Sequence, residues 1–443
     1  MKFINTEFSD FIFPSEIFLQ FKQIPVLSSI YQNPSLSLSI AVIMGVLVHR
    51  KSSVGSANPN YPGRGVLPRN PNFYNSHQPH ASSGSKPNKW ERSINGKSVD
   101  GTSRGGEITP EPCHFWVQGN CKYGDKCRYL HSWFTSTDSS LTMLKQLEGG
   151  HDKAITAINL PSESDKLFST SKDETVRVWD YNTGQSSAPV KLEGPVGCIR
   201  SERPWIFFGI PNAVKGWNSE TNTFISLDGP VGQVYALAVA GTEFLYSGNQ
   251  DGNICVWKYN ATASCFEPNA CFKGHSLGVT SLAVGGTTRL YSGSMDNTIK
   301  IWDLETGKCL QTLTGHTSAV TSLFCWEYFL ISGSLDKTVK VWQMGESGSV
   351  EVRYTHKEEH GVITIGLMHD AQGKSVLMCS CNNNTLSLYD LPSFNLRGRI
   401  FSKEDIRAIG IGPQGLFFTG SEAGELKVWN CSKTTSETIT PAA

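Results

Sequence analysis

From about residue 141 onward, short apolar runs alternate with polar turns at a period of roughly 40 residues. One clear copy runs from Gly274-His275 through VTSLAVGGTTRLYSGSMDNTIKIWD to Trp302-Asp303. The next runs from Gly315-His316 through VTSLFCWEYFLISGSLDKTVKVW to Trp342. Within each copy, apolar and polar residues alternate over short β-rich segments divided by turn residues, which predicts consecutive antiparallel strands. The closing aromatics are Trp179, Trp217, Trp257, Trp302, Trp342, Tyr389 and Trp429, spaced 38, 40, 45, 40, 47 and 40 residues apart, and predict seven units.

This pattern resembles WD40 repeats over about 290 residues, the stretch from 141 to 431. The resemblance implies an all-β, seven-bladed β-propeller built of four-stranded sheets. It also implies buried tetrads at His151, Ser169, Asp173 and Trp179, at His275, Ser292, Asp296 and Trp302, and at His316, Ser332, Asp336 and Trp342. Their recurrence in every strong unit marks these Ser, His and Asp residues as structural rather than as catalytic triads, because buried polar groups must be paired. Other units depart from the pattern. Pro195 and Pro230 replace His, Asn212 and Asn383 replace Asp, Tyr389 replaces Trp, and Ala423 takes the seventh Asp place. Those units are expected to be held mainly by packing, with softer turns.

After Trp429 too few apolar residues remain for an outer strand, whereas LTMLKQLEG ahead of Gly150-His151 reads like CLQTLTG ahead of Gly315. The segment around Met143–Leu147 is therefore expected to complete the last blade and remove an exposed edge. In the family, the residue before each turn Asp faces partners. Here these are Lys172, Gln250, Met295 and Leu335, with Met295 and Leu335 an apolar spot suited to a protein partner. No WD-x-R motif occurs, which argues against a ubiquitin-ligase substrate receptor.

Upstream the pattern disappears. Residues 1–49 form a leader whose apolar run, 36–48, is too short for a span of about 20 residues and lacks a secretory n-region or cleavage site. It is read as unstructured, with Met44 an alternative start. Residues 50–110 are rich in Ser, Asn, Gly and Pro and poor in aliphatics, which predicts a disordered basic linker. A polar tail covers 432–443.

Between linker and repeats, residues 111–135 carry Cys113, Cys121, Cys127 and His131 as C-x7-C-x5-C-x3-H. Three thiols and an imidazole form the Cys3His set of one tetrahedral zinc ion, and loops this short must take their fold from the metal. Only nine residues separate His131 from Leu141, so the finger is expected beside the outer edge of the last blade. Nine further cysteines, at 198, 255, 265, 271, 309, 325, 379, 381 and 431, read as buried small hydrophobes in a reducing compartment rather than a disulfide frame. Cys379 and Cys381 share a strand face, but no matching Cys or His pair stands at ligand spacing, so no second metal site is expected.

Charge is balanced overall but segregated. Residues 50–135 carry twelve Lys/Arg against five Asp/Glu, which leaves the body acidic and points polyanions to the head. CKYGDKCRYLH resembles RNA-binding CCCH fingers, in which aromatics beside the ligands stack on unpaired bases. The resemblance assigns that role to Tyr123 and Tyr129, with Lys122, Lys126 and Arg128 beside them. Phe115 and Trp116 either extend the platform or pack the back of the finger. The lead-in GGEITPEP lacks the basic-aromatic segment of fingers specific for AU-rich RNA. Finger and repeats together, with DKLFSTSKDETVRVWD, GPVGQVYAL, YTHKEEHGV and LYDLPSF, are similar to the plant CCCH zinc-finger proteins with WD40 repeats. Members commonly carry a second finger upstream, where this chain has the apolar leader; either the finger was lost or the start is misplaced.

No Walker loop, dinucleotide fingerprint, H-E-x-x-H or G-x-S-x-G occurs. The expectation is a non-enzymatic adaptor of the nucleus or cytoplasm, the nucleus favoured. It binds zinc and single-stranded RNA, with DNA the alternative ligand, and recruits a protein partner on the propeller face. No small-molecule substrate or membrane is expected. The alternative is a protein-interaction scaffold whose finger also docks protein.

Overall fold

The computed structural model describes residues 109–136, 141–162, 164–286, 288–345 and 348–431. The expected leader, almost all of the linker and the polar tail lie outside these residues. All described residues belong to one compact unit. Among them no helix is long and apolar enough to cross a membrane.

The repeats form antiparallel sheets that follow one another around a β-propeller. In the third sheet, Val279–Gly285, Arg289–Ser294, Ile299–Asp303 and Cys309–Leu313 pair in chain order, each joined to the next by a short turn. Burial partly follows the alternation: Ile299 and Ile301 are buried on either side of Lys300, and buried Leu290 stands opposite buried Trp302. The core lies between sheets. Met368, Met378, Leu388 and Ile400 of the fifth sheet pack on Ile406, Phe417 and Trp429 of the sixth. The sixth in turn packs on the first, as Phe418, Leu426 and Val428 meet Ile155, Leu167 and Trp179. That contact closes the ring.

The expectation of seven separate units needs correction: six sheets make the ring among the described residues, and one is six-stranded. Strands Trp205–Asn218 and Thr223–Ala240 run through positions where the repeat predicts turns, so the second and third units share a sheet. The cause lies in the departures noted in the sequence. With Pro195 and Pro230 in place of His and Asn212 in place of Asp, the turn network is missing. Asn212 instead takes a left-handed φ of 63° and accepts a hydrogen bond from the Gly232 N–H at 2.8 Å. The pairing jumps there, from Pro211 opposite Gln233 to Ala213 opposite Asp228.

The three expected tetrads are assembled. In each, His Nδ1 faces the Asp carboxylate at 2.7–2.9 Å and His Nε2 faces the Ser hydroxyl at 2.7–2.8 Å, while the Trp indole N–H donates to the same hydroxyl at 2.8 Å. Ser169, Ser292 and Ser332 are wholly buried, so no substrate reaches them. The last sheet keeps part of the pattern, with the Trp429 indole N–H donating to Thr419 at 2.9 Å.

Leu141–Leu147 pairs antiparallel with Leu426–Cys431 and seals the sixth sheet, and its ends, Leu141 and Leu147, are buried. The finger, however, reaches further than expected. Phe134–Ser136 adds a fifth strand to the outer edge of the fifth sheet, with Phe134 opposite Ile400 and Ser136 opposite Gly398. Its neighbour is thus the penultimate sheet as well as the last. An unpaired outer strand such as Asn395–Phe401 offers a row of backbone donors and acceptors, and the residues just after His131 satisfy them.

Candidate metal centre and nucleic-acid interface

The finger is built around its ligands. Strand Thr109–Pro112 pairs in parallel with Tyr129–Leu130, and the Cys113 N–H donates to the Leu130 carbonyl at 2.8 Å, which brings the first and last ligands together. Cys113 then caps a single helical turn, His114–Val117. Between Cys121 and Cys127 the chain makes a 3-10 turn, Gly124–Lys126, which opens with Gly124 at a left-handed φ of 50°. Neither short helix buries a residue, so the finger has almost no apolar core of its own.

The ligand atoms of Cys113, Cys121, Cys127 and His131 all lie within 4.8 Å of one another. A tetrahedral zinc site needs separations of about 3.8 Å between sulfurs, given Zn–S bonds of about 2.3 Å. Two further observations fit a metal. His131 Nε2 is buried and makes no hydrogen bond, as a ligand nitrogen would. Burial resists ionisation of Cys113, but the Trp116 backbone N–H and the neighbouring ligand side chains outweigh it and lower the thiol to about 7. These four residues hold one zinc ion.

Trp116 packs the back of the finger. Its ring stacks on His131, with centroids 5.7 Å apart and planes at 11°, and meets Trp133 at 5.0 Å. Trp133 in turn carries the Lys427 ammonium 5.0 Å over its ring, while Phe134 meets Trp429 edge-on at 6.1 Å. The metal site is therefore seated on the last two sheets through an aromatic chain that sequence reasoning missed. Trp133 carries no ligand spacing and Lys427 no periodic signal, because the contact joins positions almost three hundred residues apart.

Phe115, Tyr123 and Tyr129 point outward, at 59%, 70% and 49% exposure, beside exposed Lys122, Lys126 and Arg128. On the ring, Lys172, Gln250, Met295 and Leu335 occupy equivalent places. Each backbone N–H donates across to a carbonyl on the neighbouring segment, two strands back in the chain: Ala154, Gln233, Gly278 and Ala319 respectively. All four residues are exposed, but the Gln250 side-chain oxygen Oε1 accepts locally from the Gln233 backbone N–H. The structure adds Leu277, which is exposed and whose carbonyl holds the Ser294 hydroxyl just before Met295. A loop residue outside any strand pattern gave no signal for it.

A Cys3His metal centre seated on a propeller with Trp-Ser-His-Asp tetrads defines a zinc-finger protein with WD40 repeats. Residues 113–131 match the family described as "Zinc finger domain", and residues 141–180, 266–303 and 307–343 match "WD domain, G-beta repeat". The chain belongs to the plant CCCH zinc-finger proteins with WD40 repeats. It is 54% identical to "Zinc finger CCCH domain-containing protein 48" of Arabidopsis thaliana over 78% of this chain and 77% of that one. It is 52% identical to "Zinc finger CCCH domain-containing protein 17" of Oryza sativa subsp. japonica over 77% of each. A weaker likeness, 26% identity over 29% of this chain and 38% of the other, links it to "Pre-rRNA-processing protein crb3/ipi3" of Schizosaccharomyces pombe.

Proposed function

We propose that this protein is a non-enzymatic adaptor whose finger binds single-stranded RNA and whose propeller recruits a protein partner. The observation that carries this reading is the outward display of Tyr123 and Tyr129 next to zinc ligands and among exposed Lys122 and Lys126. Aromatic rings left in water beside cations suit unpaired bases and their phosphates, and each stacked base contributes about 1–3 kcal/mol. Phe115 extends the platform, and Arg128 adds a further cation. The partner surface is the face bearing Met295 and Leu335, with Leu277, Lys172 and Gln250 around it. Likeness to a protein named for pre-rRNA processing agrees with an RNA setting.

The test is fluorescence anisotropy of the zinc-loaded full chain with labelled single-stranded RNA, with a DNA oligomer of the same sequence alongside. Tyr123→Ala and Tyr129→Ala are each expected to weaken RNA binding by about 5- to 100-fold, and affinity should fall steeply with salt. Binding unchanged in both variants would sink the RNA reading. The second reading, a finger that docks protein, is favoured by the fixed seating of Trp116 on Trp133. In-cell crosslinking that recovers proteins but no RNA would support it.

A further inference from the structure

The fifth sheet departs from the tetrad in a way that assembles different chemistry. Cys379 stands opposite Ile365 as Ser332 stands opposite Leu323, and Tyr389 stands opposite Leu377 as Trp342 stands opposite Leu330. Glu358 lies four residues before Val362, the place that His316 takes before Val320. Serine, tryptophan and histidine are thus replaced by cysteine, tyrosine and glutamate, and Cys381 follows two residues on, in the place of Ser334.

These substitutions converge. A Glu358 carboxylate oxygen and the Sγ atoms of Cys379 and Cys381 all lie within 4.8 Å of one another. The Tyr389 hydroxyl donates to Glu358 Oε1 at 2.8 Å. His356 Nε2 lies 3.6 Å from the same oxygen, is buried and makes no hydrogen bond. Its ring is held against Tyr389 and Phe394, with centroids 4.6 Å and 5.2 Å away.

In the intact tetrads every polar group is matched by a partner. Here a carboxylate whose side chain is only 10% exposed accepts from the Tyr389 hydroxyl and lies within 4.8 Å of two thiols. Buried charges are paired or coordinate metals, and two thiols with a carboxylate are donors suited to zinc. We propose that Glu358, Cys379 and Cys381 form a second binding site for a thiophilic divalent cation of the zinc class, with His356 beside Glu358 at its rim. Both thiols are wholly buried, whereas the side chains of Glu358 and His356 keep 10% and 17% exposure, so the cation enters from the loop side. Binding displaces the two thiol protons into solvent and leaves two thiolates and the carboxylate around the ion, with the fourth position open to water. No ligand spacing announces the set, because Glu358 and Cys379 are twenty-one positions apart and meet only through strand pairing.

The test is metal content of the purified full chain, by mass spectrometry of the elements after zinc loading and dialysis. The expected result is two zinc ions per chain. One should remain in the finger variant Cys121→Ser/Cys127→Ser, and one in Cys379→Ser/Cys381→Ser. A finger variant with no zinc, or a Cys379→Ser/Cys381→Ser chain that still holds two ions, overturns the proposal. Should the latter variant not fold, Glu358→Gln preserves the shape of the side chain. In the Cys121→Ser/Cys127→Ser background it is expected to weaken Co2+ binding, read from the thiolate-to-cobalt absorption band, by about tenfold or more. Unchanged Co2+ affinity there overturns the proposal equally.

Discussion

Trp302 donates its indole N–H to a hydroxyl that also faces His275, so Ser292 holds two buried groups at once. Ser292→Ala removes a single oxygen but strands both, at about 1–3 kcal/mol for each unsatisfied group. A fall of several degrees in the thermal midpoint is expected, read by differential scanning fluorimetry. The same tetrads set a pH dependence. Burial pushes His151, His275 and His316 below their ordinary 6.5, although the Asp partners oppose it, so the folded state keeps them neutral. The unfolded chain takes up protons below about 6.5, which the folded state does not. Stability is therefore complete above that pH and declines as pH falls from 6.5 toward the lowered folded values. The carboxylates add a second loss. Burial opposes ionisation of Asp296, but Thr298 and His275 outweigh it and hold it at about 2, so acid below about pH 4 costs more stability. Melting curves from pH 7.5 down to pH 3 should show the midpoint level to about pH 6.5 and lower at each acidic step beyond it. A midpoint that rises between pH 6.5 and 5 would contradict this account.

At the scale of the element, the short strand Phe134–Ser136 joins the finger to the ring, and Gly398 makes room for it. A Cβ at Gly398 would lie 2.5 Å from the Thr135 carbonyl oxygen, closer than atoms pack. Gly398→Val is expected to expel the strand at about 1–3 kcal/mol, leaving the zinc ligands untouched and the segment just after His131 open to proteolysis. Limited digestion with zinc content measured alongside would show this as cleavage near Trp133 in a chain that retains its metal. Element boundaries also explain the shared sheet. No tetrad turn interrupts WIFFGIPNAVKGWN, so the strand kinks at Asn212, with its left-handed φ and a jump in pairing, and then continues where a stronger repeat would fold back.

For the whole molecule, the two kinds of stability differ. The ring rests on sheet-to-sheet burial, whereas the finger buries only Cys113 among residues 111–131 and depends on its ion. Removal of zinc by a strong chelator should unfold 111–131 while the sheets persist. Hydrogen exchange would then show protection lost in the finger and kept in Arg289–Ser294 and Phe329–Ser334. Simultaneous loss in those central strands would mean that finger and ring fold as one cooperative unit.

Much of this was legible before any coordinates. Ligand identity in the finger follows from spacing, since thiols and an imidazole within nineteen residues have few other ways to be satisfied. The propeller follows from alternation and from recurring aromatics, because strand period and burial are local properties written along the chain. The strand that seals the ring could be read from its likeness to other outer strands. Other features depend on which distant residues become neighbours, and local pattern carries no such information. Trp133 beneath Lys427, the strand Phe134–Ser136 on the fifth sheet, and the gathering of Glu358 with Cys379 and Cys381 arise only when the sheets close. Sequence alone determined the zinc ligands and the all-β ring; tertiary structure decided how the finger sits on it and which buried donors meet, because side chains remote in the chain acquire partners only through packing.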